Sequence, residues 1–396
     1  MKELTIPSLK LIPTLFAIML SAVSCSEKSA KPEDILQNMT IREKVAQTFM
    51  VEINGKDDPE EIESVSVLVK EGLGGIIWMD APVKGLVKET NHLQRKADIP
   101  LLVSVDAEWG LSMRCPEYPK FPKQLYLGQI PEAEDLVHDM GKAIGKELRG
   151  AGVHINFAPV VDINSNPEAQ IIGERSFGSD EKAVTSYAEA YMKGMQEMGI
   201  ITCAKHFPGH GEAAVDSHLG LPVLTLSKER LDSLELSPYR RLISEGVDMV
   251  MIGHLAVPSL DPSGVPASIS KPIITSLLKE EMGFDGIVIT DALQMKGITT
   301  DRDSVAVVLD AFLAGADILL MPENAQASID LITAEVEKGN IPESILDEKV
   351  MKILSLKKKV GLFGKGRPYI TRGLQQAVTS SVDMDNEVLK SIESRR

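Results

Sequence analysis

The segment from residue 205 to residue 218 concentrates side chains that could perform acid–base chemistry. Pro208 and two nearby glycines interrupt regular structure just after an apolar run, so the segment is predicted to form a loop. Within it, Asp216 and His218 are two positions apart, close enough for the carboxylate to accept a hydrogen bond from one ring nitrogen. Such a bond orients the ring and favours imidazolium, leaving the other nitrogen to exchange a proton near neutral pH. The pair is therefore predicted to be a two-member proton shuttle.

The same segment also contains residue types that bind metal ions. Imidazole and carboxylate groups of the kind found in zinc sites are present at His206, His210, His218, Glu212 and Asp216. The sequence contains neither a His-Glu-x-x-His motif nor paired Cys-x-x-Cys motifs. We therefore expect no metal and no cofactor.

Eight short apolar runs alternate with segments of helical period, a pattern typical of repeated βα units around a parallel sheet. The runs cover residues 49–53, 75–79, 101–106, 154–162, 201–206, 249–254, 286–291 and 318–321. Five of them end in groups able to do chemistry, namely Asp106, Asp162, Lys205 with His206, His254 and Asp291. In a closed barrel these ends meet on one face, where the active sites of that fold are built. For His210 and His254, packing or capping and a direct role both stay open.

Apolar stripes between the later runs predict helices at residues 181–198, 228–244, 271–282 and 304–313, with a last helix at 352–362. Eight strands with intervening helices predict an α/β fold, a (β/α)8 TIM-type barrel. The 396 residues, 43% of them hydrophobic, are enough for one large core. An open, doubly wound sheet has the same periodicity and stays the alternative.

Charge and cysteine content narrow the class of protein. The 57 acidic and 42 basic residues give a net charge of −15, whereas nucleic acid is bound by clustered Lys and Arg. We therefore expect no nucleic-acid partner. Apart from Cys25, only Cys115 and Cys203 occur, too few for a disulfide framework. Cys203 lies in an apolar run and is expected to be a buried thiol.

The N-terminus resembles a bacterial lipoprotein signal. Lys2 and Lys10 flank the apolar run 11–19, which is too short to span a membrane as a helix. Residues 1–25 are predicted to be a signal peptide that ends in a lipidated Cys25, and residues 26–38 a tether to the cell envelope, on its periplasmic or outer-membrane face. The membrane is thus an expected partner through the lipid. Because Ala22 stands where Leu is usual, cleavage near Ser24 and secretion is the alternative.

The motifs along the chain resemble the β-N-acetylglucosaminidase branch of glycoside hydrolase family 3. Lys-His-Phe-Pro-Gly-His-Gly followed by Asp-Ser-His, at residues 205–218, is the longest and most specific match. Further matches in the same order are residues 156–162, 172–178, 251–254 and 286–295. The resemblance covers about residues 39–365, which we take as a single catalytic domain.

The resemblance implies a retaining exo-glycosidase on an eight-stranded barrel. Its expected substrate is terminal β-linked N-acetylglucosamine on peptidoglycan-derived or other glycans, and a monomer is expected. Asp291 matches the nucleophile, and His218 matches the acid/base with Asp216 behind it. Nearby Lys205 or Arg175 would keep Asp291 ionised. The implied substrate-binding residues are Asp106, Trp109, Arg114, Arg175, Lys205, His206 and Met295.

Some segments depart from the family pattern. Residues 106–110 read Asp-Ala-Glu-Trp-Gly instead of Asp-Gln-Glu-Gly-Gly, and Trp109 offers either an aromatic wall for a sugar or a buried side chain. Residues 77–80 replace a common Phe-x-Arg segment, which leaves the aglycone preference open. The tail 366–396 is too short to be the second α/β layer of two-domain members. A β-glucosidase or β-xylosidase of the same family, and a non-catalytic glycan-binding lipoprotein, stay alternatives.

Overall fold

The computed structural model describes residues 31–166, 171–213, 220–299, 302–364 and 385–395. The predicted catalytic residues Asp216 and His218 and the predicted lipidation site Cys25 lie outside these ranges. Eight parallel strands form the centre of the fold: β1 Phe49–Ile53, β2 Gly75–Trp78, β3 Leu102–Val105, β4 Ile155–Asn156, β5 Ile201–Phe207, β6 Met249–Ile252, β7 Ile287–Thr290 and β8 Leu319–Leu320.

The eight strands close into a ring. Each strand from β1 to β6 pairs in parallel with the next one along the chain, and β1 also pairs with β8. The ring closes between β7 and β8, where Ile289 forms a parallel bridge with Ile318. A doubly wound sheet would keep two open edges. The predicted (β/α)8 barrel is therefore confirmed.

Helices surround the ring, and polar caps fix where several of them begin. The side chains of Asp58, Asp180, Ser227 and Asp303 each accept backbone N–H groups of the first helical turn. The helices are Pro32–Gln37, Ile41–Gln47, Pro59–Lys70, Val83–Lys96, Gln124–Gly128, Glu134–Ala151, Glu181–Glu197, Lys228–Ser233, Ser237–Ser244, Pro272–Glu281, Lys296–Thr299, Ser304–Ala314, Ala325–Glu337 and Glu343–Lys359, with residues 385–394 also helical.

Three predicted elements have different bounds in the structure. The helix predicted at 228–244 is two helices, because Pro238, in the first turn of the second helix, has no N–H with which to continue the first. The strand predicted at 154–162 is regular only at Ile155–Asn156, because Pro159 has no N–H to donate to a ladder, but Val160 still forms a parallel bridge with Lys205 of β5. The last helix begins at Glu343, after Pro342, and ends before Gly361, whose φ is +84°.

Two apolar layers hold the barrel together. Side chains that face the barrel axis, including Met50, Leu102 and Met249, form an inner cluster, and a larger cluster lies between the strands and the helices. Cys115 and Cys203 are free and buried, as expected for Cys203. Among the described helices, none combines the length and apolar character needed to cross a bilayer.

Candidate active site

A cavity of about 310 Å³ opens at the carboxyl ends of the strands. This is the face of a (β/α)8 barrel where the loops that follow the strands converge. Asp106 follows β3 directly, Lys205 and His206 lie within β5, and Asp291 follows β7 directly. The polar residues that line the cavity are Asp106, Glu108, Arg114, Arg175, Lys205, His206, His210 and Asp291, with Trp109 at the side.

A buried network of opposite charges forms one wall of the cavity. Lys205 Nζ lies 2.7 Å from Asp106 Oδ1 and also pairs with Glu108. Arg175 binds Glu108 through two donors, with Nη2 at 2.7 Å from Oε1 and Nε at 2.9 Å from Oε2. Such forked pairs fix geometry as well as charge. The sugar-binding side chains predicted from the sequence are therefore held in place before any ligand arrives.

The network keeps its carboxylates ionised. Burial opposes ionisation of Glu108, but Arg175 and Lys205 lower its pKa well below the ordinary range. Burial also opposes the charge of Asp106, and there Lys205 and Arg114 lower the pKa. Burial would lower the pKa of Lys205, but Asp106 and Glu108 raise it. At neutral pH the wall therefore presents both charged acceptors and charged donors.

Arg114 connects the cavity to the barrel rim. Its Nη2 lies 2.9 Å from Asp106 Oδ2, and its Nη1 lies 3.0 Å from Asp80 Oδ1. Asp80 belongs to the segment that departs from the family pattern, and it serves here as a partner of Arg114. In the same segment Trp78 is fully buried and donates to Thr90 Oγ1, so only Ile77 reaches the cavity.

His206 is oriented by a carboxylate behind it. Its Nδ1 lies 2.7 Å from Asp162 Oδ2, and the backbone N–H groups of His206 and His210 donate to the same carboxylate. Because the Asp162 carboxylate accepts, Nδ1 carries the proton, and Nε2 faces Arg175 Nη2 at 3.4 Å. Burial opposes ionisation of Asp162, but His206 lowers its pKa. Asp162 therefore fixes both the tautomer and the direction of the ring.

Asp291 is the carboxylate best placed to react. It lines the cavity and is partly exposed to it, and its Oδ1 accepts the backbone N–H of Ala292 at 2.8 Å. Burial opposes its charge, but His254 and His206, followed by the Ala292 N–H and Lys205, lower its pKa. Asp291 is therefore expected to be ionised at neutral pH. His254 and His206 contribute most to the lowering of its pKa. Arg175, which was expected to help, is instead paired with Glu108.

The remaining predicted residues fall into two groups. Trp109 lines the cavity, is half-buried, and has Lys123 Nζ 5.2 Å from its ring centroid. Met295 is buried, and its side chain is not among those that line the cavity in the described ranges. Within those ranges no group of three or more His, Cys, Asp or Glu side chains could hold a metal ion.

Two further residues organise the site: Glu108, which sequence reasoning missed, and Asp162, which it named as a strand-end group without giving it a role. Glu108 binds two of the predicted sugar-binding cations, and Asp162 orients a third predicted residue, His206. The position of Asp162 at the end of an apolar run was a signal for it. For Glu108 the only signal was its position two residues after Asp106, and many acidic residues in surface loops lie in such positions.

The fold and the cavity together define a (β/α)8-barrel enzyme whose site can bind a ligand rich in hydroxyl groups beside an ionised carboxylate. Residues 40–356 match the model of the glycosyl hydrolase family 3 N terminal domain. The chain belongs to this family.

Relatives and solved structures of the same family are similar over most of the chain. Beta-hexosaminidase LpqI of Mycobacterium tuberculosis is 35% identical over 356 residues, which is 85% of this chain and 87% of that protein. Beta-hexosaminidase A of Pseudoalteromonas piscicida is 32% identical over 334 residues, and the match spans 76% of this chain but only 55% of that relative. The structure of a glycoside hydrolase family 3 beta-N-acetylglucosaminidase from Paenibacillus sp. str. FPU-7 superposes with a TM-score of 0.77 at 33% identity, covering 87% of this chain and 69% of that one.

Proposed function

We propose that this protein is a retaining β-N-acetylhexosaminidase that removes terminal β-linked N-acetylglucosamine from peptidoglycan-derived or other glycans. The observation that carries the proposal is Asp291, a partly exposed carboxylate of lowered pKa at the end of β7, in a cavity lined by hydroxyl-binding groups. The names of the relatives, beta-hexosaminidase and beta-N-acetylglucosaminidase, support the choice of sugar.

In the proposed reaction the Asp291 carboxylate attacks the anomeric carbon, and the bond from that carbon to the leaving oxygen breaks. His218, assisted by Asp216, gives a proton to the leaving oxygen. Water then attacks the same carbon while His218 takes its proton, which releases the sugar and restores Asp291. Retention follows because the anomeric carbon is inverted twice.

The proposed sugar site uses the charged wall of the cavity. Asp106 accepts hydrogen bonds from hydroxyl groups, while Lys205 and Arg175 donate to hydroxyl oxygens. His206 adds its Nε2, Arg114 holds Asp106 in position, and Trp109 offers its ring to an apolar face of the sugar. Met295 is left out of this proposal because its side chain is buried away from the cavity.

The decisive experiment is labelling with a fluorinated N-acetylhexosamine inactivator, followed by intact mass spectrometry and peptide mapping. The expected result is one sugar adduct on Asp291. An adduct on another residue would overturn the nucleophile, and an active enzyme that never acquires an adduct would overturn the covalent mechanism. The same reagent built on glucose serves as the control for sugar preference.

A glucosidase or xylosidase activity is the competing outcome. Turnover of nitrophenyl β-N-acetylglucosaminide, β-glucoside and β-xyloside under identical conditions separates the activities. We expect kcat/KM to be highest on the N-acetylglucosaminide. A higher value on the glucoside would replace the proposed activity with the competing one, and no turnover of any of the three would support a non-catalytic glycan-binding role.

We also propose that the mature protein is anchored to the cell envelope through a lipid on Cys25. The residues concerned lie outside the described ranges, so the proposal rests on the sequence pattern alone. Cys25→Ser is expected to prevent incorporation of labelled fatty acid and to move the protein from the membrane fraction to the soluble fraction. Equal membrane association of the variant and the wild type would overturn the anchor.

A further inference from the structure

His254 is fully buried and bonded at both ring nitrogens. Nδ1 lies 2.7 Å from Ser268 Oγ, and Nε2 lies 2.9 Å from the carbonyl oxygen of Ala292. A carbonyl oxygen can only accept, so Nε2 carries a proton whether the ring is neutral or charged. The Ser268 hydroxyl can donate to Nδ1 of the neutral ring or accept from the imidazolium. The two contacts therefore hold the ring in one orientation in both charge states.

The partner of His254 is the residue that follows Asp291 and binds its carboxylate. The N–H of Ala292 donates to Asp291 Oδ1 at 2.8 Å, while the carbonyl of the same residue accepts from His254. The N–H of Asp291 donates to the carbonyl oxygen of Ile252, at the end of β6, at 2.9 Å. Contacts from β6 and the residues just after it thus hold the turn that carries Asp291.

We propose that His254 is a positioning residue for the nucleophile, acting through the Ala292 carbonyl so that one Asp291 oxygen is held by the backbone and the other is presented for attack. It acts without touching substrate, because it is fully buried and is not among the residues that line the cavity in the described part of the chain. This inference rests on the proposed function, in which Asp291 attacks the sugar.

The electrostatics of the site give the inference a second readout. His254 and His206 make the largest contributions that lower the pKa of Asp291 against the effect of burial. The other titratable groups that face Asp291 are Lys205, His210 and Cys203. Removing His254 is therefore expected to raise the pKa of Asp291. Since the ionised form is the active one, the acid limb of the kcat/KM profile moves to higher pH.

Three variants test the inference. His254→Leu removes both ring contacts, His254→Gln keeps a donor that can reach the Ala292 carbonyl, and Ser268→Ala removes only the hydroxyl partner of Nδ1. We expect His254→Leu to lower kcat by about 100-fold with little change in KM, because a displaced reacting group costs rate rather than binding. His254→Gln should recover most of kcat, and Ser268→Ala should lower it less than His254→Leu does. The rate of labelling by the fluorinated inactivator should follow the same order.

The outcomes separate this inference from the proposed function. If Asp291→Asn and His254→Leu both lose turnover, and His254→Gln regains most of kcat while its acid limb stays at the higher pH, the positioning role is supported, because the neutral amide restores the contact with the Ala292 carbonyl but not the charge. If Asp291→Asn is inactive but folded His254→Leu keeps wild-type kcat and pH profile, this inference fails alone. A similar loss in all three variants with an unmoved acid limb indicates a purely structural role and also overturns it. If Asp291→Asn retains wild-type turnover, the proposed function itself has failed.

Thermal unfolding of each variant identifies losses of activity that are caused by misfolding. If His254→Leu does not fold, the kcat of Ser268→Ala decides between the two outcomes.

Discussion

Lys205 Nζ lies 2.8 Å from Oε1 of Glu108, and both side chains are buried beneath the cavity. Glu108 also binds Arg175, so a single carboxylate balances two cations. Asp106 also pairs with Lys205, but it pairs with Arg114 as well and so does not neutralise Lys205 alone. Glu108 is therefore the residue on which the arrangement of the proposed sugar site depends most.

Glu108→Gln is expected to lower both stability and activity. The neutral amide leaves Lys205 and Arg175 close together with less compensating charge, and breaking a buried ion pair costs about 3 kcal/mol. We expect that loss in urea unfolding, together with a higher KM. The matched control is Glu174→Gln, an exposed partner of Lys123 next to Arg175, which should change little. Wild-type stability and KM in Glu108→Gln would contradict this account.

Asp291→Asn tests the nucleophile in steady state. The amide keeps an oxygen that can accept the Ala292 N–H, so the fold should be retained, but it is a poor nucleophile. We expect turnover of an aryl β-N-acetylglucosaminide to fall by roughly 1000-fold or more, with an unchanged thermal midpoint. Asp285→Asn, an exposed carboxylate just before β7, is the control and should keep wild-type turnover. Near-normal activity of Asp291→Asn would show that another group attacks.

Lys357→Met is expected to stabilise the protein. Lys357 is fully buried at the far end of the barrel and donates to Gln47 Oε1 at 2.6 Å, and burial lowers its pKa to about 7 from 10.5. The folded state thus binds fewer protons than the unfolded state, so wild-type stability should rise as the pH increases from about 7 to 10.5. Methionine carries no charge, so it removes the cost of burying the Lys357 ammonium. We expect the free energy of unfolding in urea to rise by roughly 2 kcal/mol at pH 7.

The control for Lys357→Met is Lys358→Met, an exposed position in the same helix, which should leave stability and its pH dependence unchanged. A gain that is equal at pH 7 and pH 10 would indicate a packing effect in place of the charge penalty.

Asp385→Asn tests a pair of buried carboxyl groups. Asp385 lies against Glu147, whose Oε2 accepts the N–H of Leu111 at 2.8 Å. Burial raises the pKa of Asp385 to about 7, and burial with the nearby charge of Asp385 raises that of Glu147 well above its usual range. Between its ordinary pKa of 3.8 and its raised pKa of about 7, Asp385 binds more protons in the folded state than in the unfolded state, so wild-type stability should fall as the pH rises over this interval.

The expected result for Asp385→Asn is a larger stability gain at pH 8 than at pH 5, measured by thermal unfolding. Asp135→Asn is the matched control, because that exposed carboxylate binds Arg395 in the same stretch of residues 385–395. It should show no comparable pH dependence. If Asp385→Asn is equally stabilising at both pH values, ionisation of Asp385 carries no cost in the folded protein and its pKa is not raised.

The barrel could be predicted from the sequence because β-strands and helices have different apolar periods, and those periods survive in every run from β1 to β8. The bounds were less predictable where one residue overrides the pattern. Pro238 divides a continuous amphipathic stripe, and Pro159 interrupts the regular ladder within an apolar run, which resumes as a bridge at Val160. Neither effect changes the order of the elements, so the fold class was correct.

The sequence could place polar residues in the cavity where they lie near or just after the carboxyl end of a strand, as Asp106, Lys205 and Asp291 do. The role of Glu108 could not be predicted, because its partners Arg175 and Lys205 are distant in sequence. They become its neighbours only when the loop after β3, the turn Gly173–Arg175 and β5 come together. Asp216 and His218 lie outside the described ranges, and their roles stay predictions.

The position of Asp291 beside the β7–β8 seam makes the reacting group depend on how that seam is held. The turn after β7 is bonded on one side to Ile252 and on the other to β8, where the N–H of Leu293 donates to Leu320. The contacts among Asp106, Lys205, Glu108 and Arg175 do not involve β8. Local opening of the β7–β8 seam would therefore release the attacking carboxylate while the sugar contacts stay assembled, so activity would be lost before binding.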